Sequence, residues 1–139
     1  MNLIIGSHVS YNNKSQLLGS VKEALSYKAN TFMFYTGAPQ NTNRSVIEDS
    51  LTIEAYKLMK ENNIALEKVI VHAPYIVNLA NFNNFDFSVS FLINEVERCS
   101  TLGIKYLVLH PGSAVNCSRE EAINNISKGL NLILDNDYD

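Results

Sequence analysis

Each of the three histidines in this chain closes a short apolar run. Val69-Ile70-Val71-His72 leads into Ala73-Pro74-Tyr75, and Tyr106-Leu107-Val108-Leu109-His110 leads into Pro111-Gly112-Ser113. The third run is Leu3-Ile4-Ile5-Gly6-Ser7-His8. A parallel βα fold gathers the C-terminal ends of its strands, so residues that close different strands can share one ligand. Neutral imidazole suits zinc and similar borderline metals. The Pro-containing turn after each marks His72 and His110 as a candidate ligand pair, with His8 at the same mouth in an unassigned role. The plainer alternative is a hydrogen-bonded His at each strand end.

The carboxylates add little to that pair. Glu48, Glu54, Glu61, Glu95, Glu97, Glu120 and Glu121 fall in predicted helices, away from the mouth, and read mostly as solvated-face residues. A hydrolytic metal centre wants a carboxylate that bridges or completes it, and none here closes a strand. No phosphate-binding glycine loop or nucleophile-elbow pattern is present. Tyr75 and Asn78 follow His72, and Gly37 to Arg44 follow the second predicted strand. Aromatic and amide side chains on such a rim suit stacking and hydrogen bonding to nucleic acid, though alone they are ordinary loop residues.

The elements that must position these groups alternate. Strands are predicted at Leu3–His8, Thr31–Tyr35, Lys68–His72 and Lys105–His110. Helical periodicity follows each. The first helix spans about Lys14 to Lys28, with Leu17, Leu18, Val21, Ala24 and Leu25 on one stripe. Ser45 to Glu48 has capping-box spacing and opens a second helix running to about Asn62. Asp86 is the expected N-cap of a third, with Phe91, Leu92, Val96 and Cys99 inward and Gly103 just past its end. Ser118 to Glu121 is a second capping box, followed by a stripe of Ile123, Ile126, Leu130 and Ile133. The acidic tail from Asp135 to Asp139 is expected to fray. Alternating strands and helices imply an α/β fold with one parallel sheet in one domain, residues 1–139.

Length and composition bound the rest. At 139 residues the chain can bury a core but is too short for eight βα units, which need about 200 residues or more. Its apolar fraction is 46% and its charged fraction 18%, those of an ordinary globular protein. The net charge is -3 with no Lys/Arg run, so any nucleic-acid contact must be local and metal-assisted rather than a basic coat. The abundant Asn residues favour turns and caps, or reflect only an A/T-rich genome. Cys99 and Cys117 lack C-x-x-C spacing and read as reduced thiols. With no signal-peptide pattern and no membrane-length apolar run, a cytoplasmic protein without a membrane partner is expected.

At these residues the chain resembles bacterial endonuclease IV, the zinc-dependent apurinic/apyrimidinic endonuclease family. The matching segments are Ile5-Gly6-Ser7-His8-Val9-Ser10, Phe32 to Thr42, His72-Ala73-Pro74-Tyr75 with Asn78, and Leu109-His110-Pro111-Gly112-Ser113. They stand in family order and spacing. Together they are highly specific, while a piece such as His-Pro-Gly is weak. The resemblance spans essentially the whole chain but only the first half of the family's domain. It implies a TIM (β/α)8-barrel fold, here its first four βα units as a half-barrel. It further implies a three-zinc cluster and cleavage of the DNA backbone 5′ to an abasic site by metal-activated hydroxide, in DNA base-excision repair.

Residue by residue, the resemblance makes His72 and His110 ligands of one zinc. His8 matches a mouth position outside the ligand set. It makes Tyr75 a residue that enters DNA at the lesion, Asn78 part of the same motif, and Gly37–Arg44 a DNA-recognition loop. That loop has Gln40 and Asn41 where some members carry Arg and Gln, leaving Arg44 as its source of positive charge. The family continues into a fifth strand ending in a Glu that completes this zinc. The chain stops before it, so only a partial Zn2+ site and little activity alone are expected. Expected partners are abasic-site DNA, the missing C-terminal half, or a second copy of the chain. The rival readings are a metal-dependent sugar isomerase or epimerase of the same barrel superfamily and a non-catalytic half-barrel fragment.

Overall fold

The computed structural model describes residues 3–138. Strand and helix alternate through it: β1 Gly6–His8, α1 Gln16–Ser26, β2 Thr31–Phe34, α2 Asp49–Glu61, β3 Ile70–His72, α3 Phe85–Thr101, β4 Tyr106–Val108 and α4 Arg119–Leu134. Short 3-10 turns at Leu66–Lys68 and Phe82–Asn84 lead into β3 and α3. The strands form one sheet in the order β1-β2-β3-β4, parallel throughout. This is the order consecutive βα units produce, and it bears out the four-unit half-barrel. Among the described residues no helix is long and apolar enough to cross a membrane.

The core sits on one face of the sheet. In β2, Phe32 and Phe34 are buried while Thr31 and Met33 are half-exposed, the period-2 signature of a sheet covered on one side. Phe32, Phe34 and Val71 pack with Leu17 and Val21 of α1, Ala55 and Met59 of α2, and Leu102. A second cluster joins Leu79, Phe85, Val89, Phe91 and Leu92 to Ile133 of α4. The register runs His8 beside Met33, Met33 beside Ile70, and Ile70 beside Tyr106, so one row crosses the open face.

Several boundaries differ from expectation, each for a local reason. Leu3 to Ile5 lie outside β1 because Asn30 replaces the ladder: its amide bonds Leu3 O and Ile5 N, and its backbone N–H bonds Ile5 O. β4 ends at Val108, placing His110 in the loop beyond it. Ser45 does not cap α2; Glu48 stands at the N-cap position without a side-chain cap bond, and Gln16 brackets the approach instead, donating to Val46 O and accepting from Glu48 N. Asn84 rather than Asp86 precedes α3, leaving Asp86 in the first turn. The Ser118–Glu121 capping box forms as read, and Gly103 takes φ +61° just past α3, as a glycine there should. Ile126, Leu130 and Ile133 of the predicted α4 stripe pack on the second cluster, and the helix is rolled slightly from that stripe. Ile123 is exposed, and Ala122, Asn125, Gly129 and Ile133 face inward. Gly129 permits this, since a Cβ there would come within 2.9 Å of Leu79. The tail does not fray through Tyr138, whose hydroxyl donates to Ile133 O and whose ring packs on the second cluster. Asp139 lies outside the described residues.

Candidate metal centre and its rim

The parallel register brings the three histidines together at one end of the sheet. His72 closes β3, and its ring centroid lies 5.1 Å from that of His110, carried by the loop after β4. His8 closes β1, with its ring 6.4 Å from His72. Tyr35 fills the space between β1 and β3, 4.7 Å from His8 and 5.1 Å edge-on to His72. His72 Nδ1 lies 2.6 Å from the carbonyl oxygen of Ala73. A carbonyl can only accept, so Nδ1 carries the proton and Nε2 keeps its lone pair free. In the neutral ring, a carbonyl bond of this kind fixes the tautomer and orientation of a metal-binding imidazole.

The histidines differ electrostatically. Partial desolvation holds the His8 imidazole below its ordinary value, and the nearby His72 ring pushes the same way, against the Val9 backbone and Glu23. A depressed His stays neutral at physiological pH, compatible with ligation or with packing against Tyr35. The donor set fits a zinc site in kind, with two imidazoles on separate elements and one with its tautomer fixed. It falls short in number. Among the described residues no group of three or more His, Cys, Asp and Glu side chains is placed to hold a metal.

The rim residues divide into free and committed groups. Tyr75 is exposed on the loop after β3 and Gln40 on the loop after β2, while Asn41, also exposed, accepts through Oδ1 from Asn43 N. Asn78 is committed to the fold. Its carboxamide accepts from Ala80 N and Ser113 N and donates to Ser113 O, tying the loops after β3 and β4 together. Gly112, at φ +125°, leaves the space that Asn78 occupies. Tyr75, Asn78, His110 and Ser113 line one shallow cavity, while His8, Glu23, Tyr35 and Gly37 line another at the same end.

Arg44 is committed as well. Its Nε donates to Glu95 Oε1 at 2.5 Å, and the two side chains are 5% and 0% exposed. Glu95 also accepts from Thr36 Oγ1, and Thr36 is held in turn by Arg98. The expectation that helix carboxylates lie on solvated faces therefore fails at Glu95. The signal was in the spacing. Glu95 stands at i+4 from Phe91, i+3 from Leu92 and i−4 from Cys99, on the buried stripe of its own helix. Buried Asn125, which donates to Leu79 O, was missed for the same reason.

Comparison with known proteins places this geometry. A family model described as a xylose isomerase-like TIM barrel matches residues 21–137. A protein named probable endonuclease 4 from Acholeplasma laidlawii is 56% identical over 136 residues, covering 96% of this chain and 46% of that protein. One of the same name from Bacillus subtilis is 52% identical over 137 residues, covering 96% and 45%. The solved structure of endonuclease IV from Thermus thermophilus superposes with a TM-score of 0.73 at 26% identity, covering 95% of this chain and 48% of that one. The chain thus spans about half the length of the relatives it matches.

Proposed function

Since the chain belongs to the xylose isomerase-like TIM-barrel family, we propose that it is the N-terminal half of an endonuclease IV-type nuclease acting on DNA at abasic sites. The observation that carries this reading is the His72–His110 pair at one sheet end, with the His72 tautomer fixed by Ala73. In this reading the two imidazoles are part of a zinc ligand set. Zinc, when bound, would supply Lewis acidity toward a backbone phosphate. Tyr75 and Gln40 are exposed to meet DNA, with Asn41 beside them presenting its amide nitrogen while its Oδ1 accepts from Asn43 N. Asn78 acts behind Tyr75 by tying the loop after β3 to the loop after β4. The remaining ligands come from outside residues 1–139, from a C-terminal half or a second copy, and cytoplasmic DNA repair is the setting.

The experiment is an incision assay on a duplex bearing one abasic site, with zinc added. The chain alone is expected to show little or no cleavage, and adding a polypeptide that supplies the second half of a relative is expected to restore some. Robust cleavage by the chain alone, lost with EDTA, would overturn the partial-site reading. The family description supports a second reading, a metal-dependent sugar isomerase or epimerase. Turnover of an aldose by the complemented protein, with no incision of DNA, would favour it.

A further inference from the structure

The loop after β2 is tied down by an ion pair that the proposed chemistry does not use. Arg44 reaches back under its own loop. Its Nη1 lies 2.9 Å from Asn43 O, 3.2 Å from Asn41 O and 3.4 Å from Ala38 O. Its Nε is bonded to Glu95, and its guanidinium carbon sits 4.8 Å from the Phe91 ring centroid. One planar group thus joins three loop carbonyls to two side chains of α3. A lysine could carry the charge but could not make that fork. Gly37 makes the approach possible, since a Cβ there would come within 2.8 Å of Arg44 Cδ. The far end of the tie is rigid. Glu95 is fully buried and also holds Thr36, at the start of the loop, with a 2.8 Å bond.

We infer that Arg44 and Glu95 are positioning residues. The pair fixes the backbone of the loop Gly37–Asn43, so that the exposed Gln40 and Asn41 side chains are presented in one arrangement at the mouth. A buried pair of this kind is weak evidence for net stability, because desolvation offsets the attraction between the charges. Its consequence here is conformational. The loop holds no helix or strand, only the turn bonds Asn41 N to Ala38 O and Asn43 N to Asn41 Oδ1, and the Arg44 tie adds the anchorage to α3. The role assigned to Gln40 and Asn41 rests on the DNA reading above; the ordering of the loop does not.

The test uses the chain with three changes: Arg44→Lys, Glu95→Gln, and the double variant Arg44→Met/Glu95→Leu. The double variant removes both charges of the pair and leaves Arg98 on its bonds to Thr36 and Ser45, and urea denaturation establishes that it is folded before the loop is read. NMR order parameters are measured for residues 38–43 and for the four strands. In the parent chain the loop is expected to match the strands, at about 0.85, and to fall below about 0.6 in the double variant and in Arg44→Lys while the strands hold their values. A loop that stays ordered in the double variant overturns the inference, as does one already mobile in the parent. A merely structural pair would lower the melting temperature without this selective loosening. Fluorescence anisotropy with a zinc-supplemented abasic-site duplex is the second readout. Parental binding weakened about tenfold in the double variant extends the inference to DNA presentation. Absence of parental binding removes support from the DNA reading and leaves the inference to stand or fall on the order parameters.

Discussion

His72 and His110 differ from His8 in what holds them. His72 has its Nδ1 proton fixed on Ala73 O and lies 5.1 Å from His110, whereas His8 packs tilted against Tyr35 at the far side of the row. We predict that His72→Ala and His110→Ala each abolish a weak zinc affinity that His8→Ala leaves in place. Competition titration against a chromogenic zinc chelator measures it, and equal loss from His8→Ala would show that the ligand pair is misassigned. The two cysteines separate in the same way. Burial, reinforced by the Glu95 carboxylate, pushes the Cys99 thiol up to about 12, so it holds almost no thiolate at neutral pH. Cys117 is half-exposed. Iodoacetamide at pH 8 is therefore expected to label Cys117 and spare Cys99 in the folded chain, with both labelled in denaturant. Early labelling of Cys99 would contradict its burial.

At the scale of elements, the cap of α4 carries a pH dependence whose sign follows from its bonds. Glu121 accepts from Ser118 N, and that bond holds its carboxyl below the ordinary carboxylate value. A folded value below the unfolded one means the contribution is present above the unfolded pKa and is lost as pH falls through the folded one. Amide protection factors in the first turn of α4, corrected for the intrinsic pH dependence of exchange, are expected to fall as pH drops below the ordinary carboxylate range in the parent chain. In Glu121→Gln, which keeps an acceptor but does not titrate, the step should vanish. Ser118→Ala removes the acceptor for Glu121 N and should destabilise the helix by about 1 kcal/mol at any pH, read by urea denaturation. Capping chemistry was legible at Ser118 because its partners are local. It misled at Ser45, where Gln16, distant in sequence, provides the bonds instead.

At the scale of the whole molecule, the second face of the sheet is uncovered. Tyr106 and Val108 of β4 are 57% and 39% exposed, and Leu3, Ile4 and Ile5 beside β1 are half-exposed or more. β1 and β4 each have one neighbour, so both edges carry unpaired backbone groups, and exposed edges with apolar surface drive association. We predict that the isolated chain is a dimer or larger in solution, β4 of one copy pairing in parallel with β1 of the other. Light scattering decides it, and a stable, monodisperse, cooperatively unfolding monomer would sink the idea. Local periodicity carries the alternation of elements, the inward stripe of α1 and the placing of His8 and His72 at strand ends, with His110 two residues beyond its strand. The strand order was implied by the barrel resemblance rather than by periodicity. The sequence also carried the resemblance to endonuclease IV, through motifs that are contiguous in the chain. What local spacing cannot supply is the partner each inward polar residue meets. Arg44 on the loop after β2 meets Glu95 of α3, and Asn78 after β3 meets Ser113 after β4, pairs far apart in sequence where no local period announces the partner. The slight roll of α4 was likewise decided only in the tertiary structure, by the space that Gly129 leaves for Leu79 and Phe85.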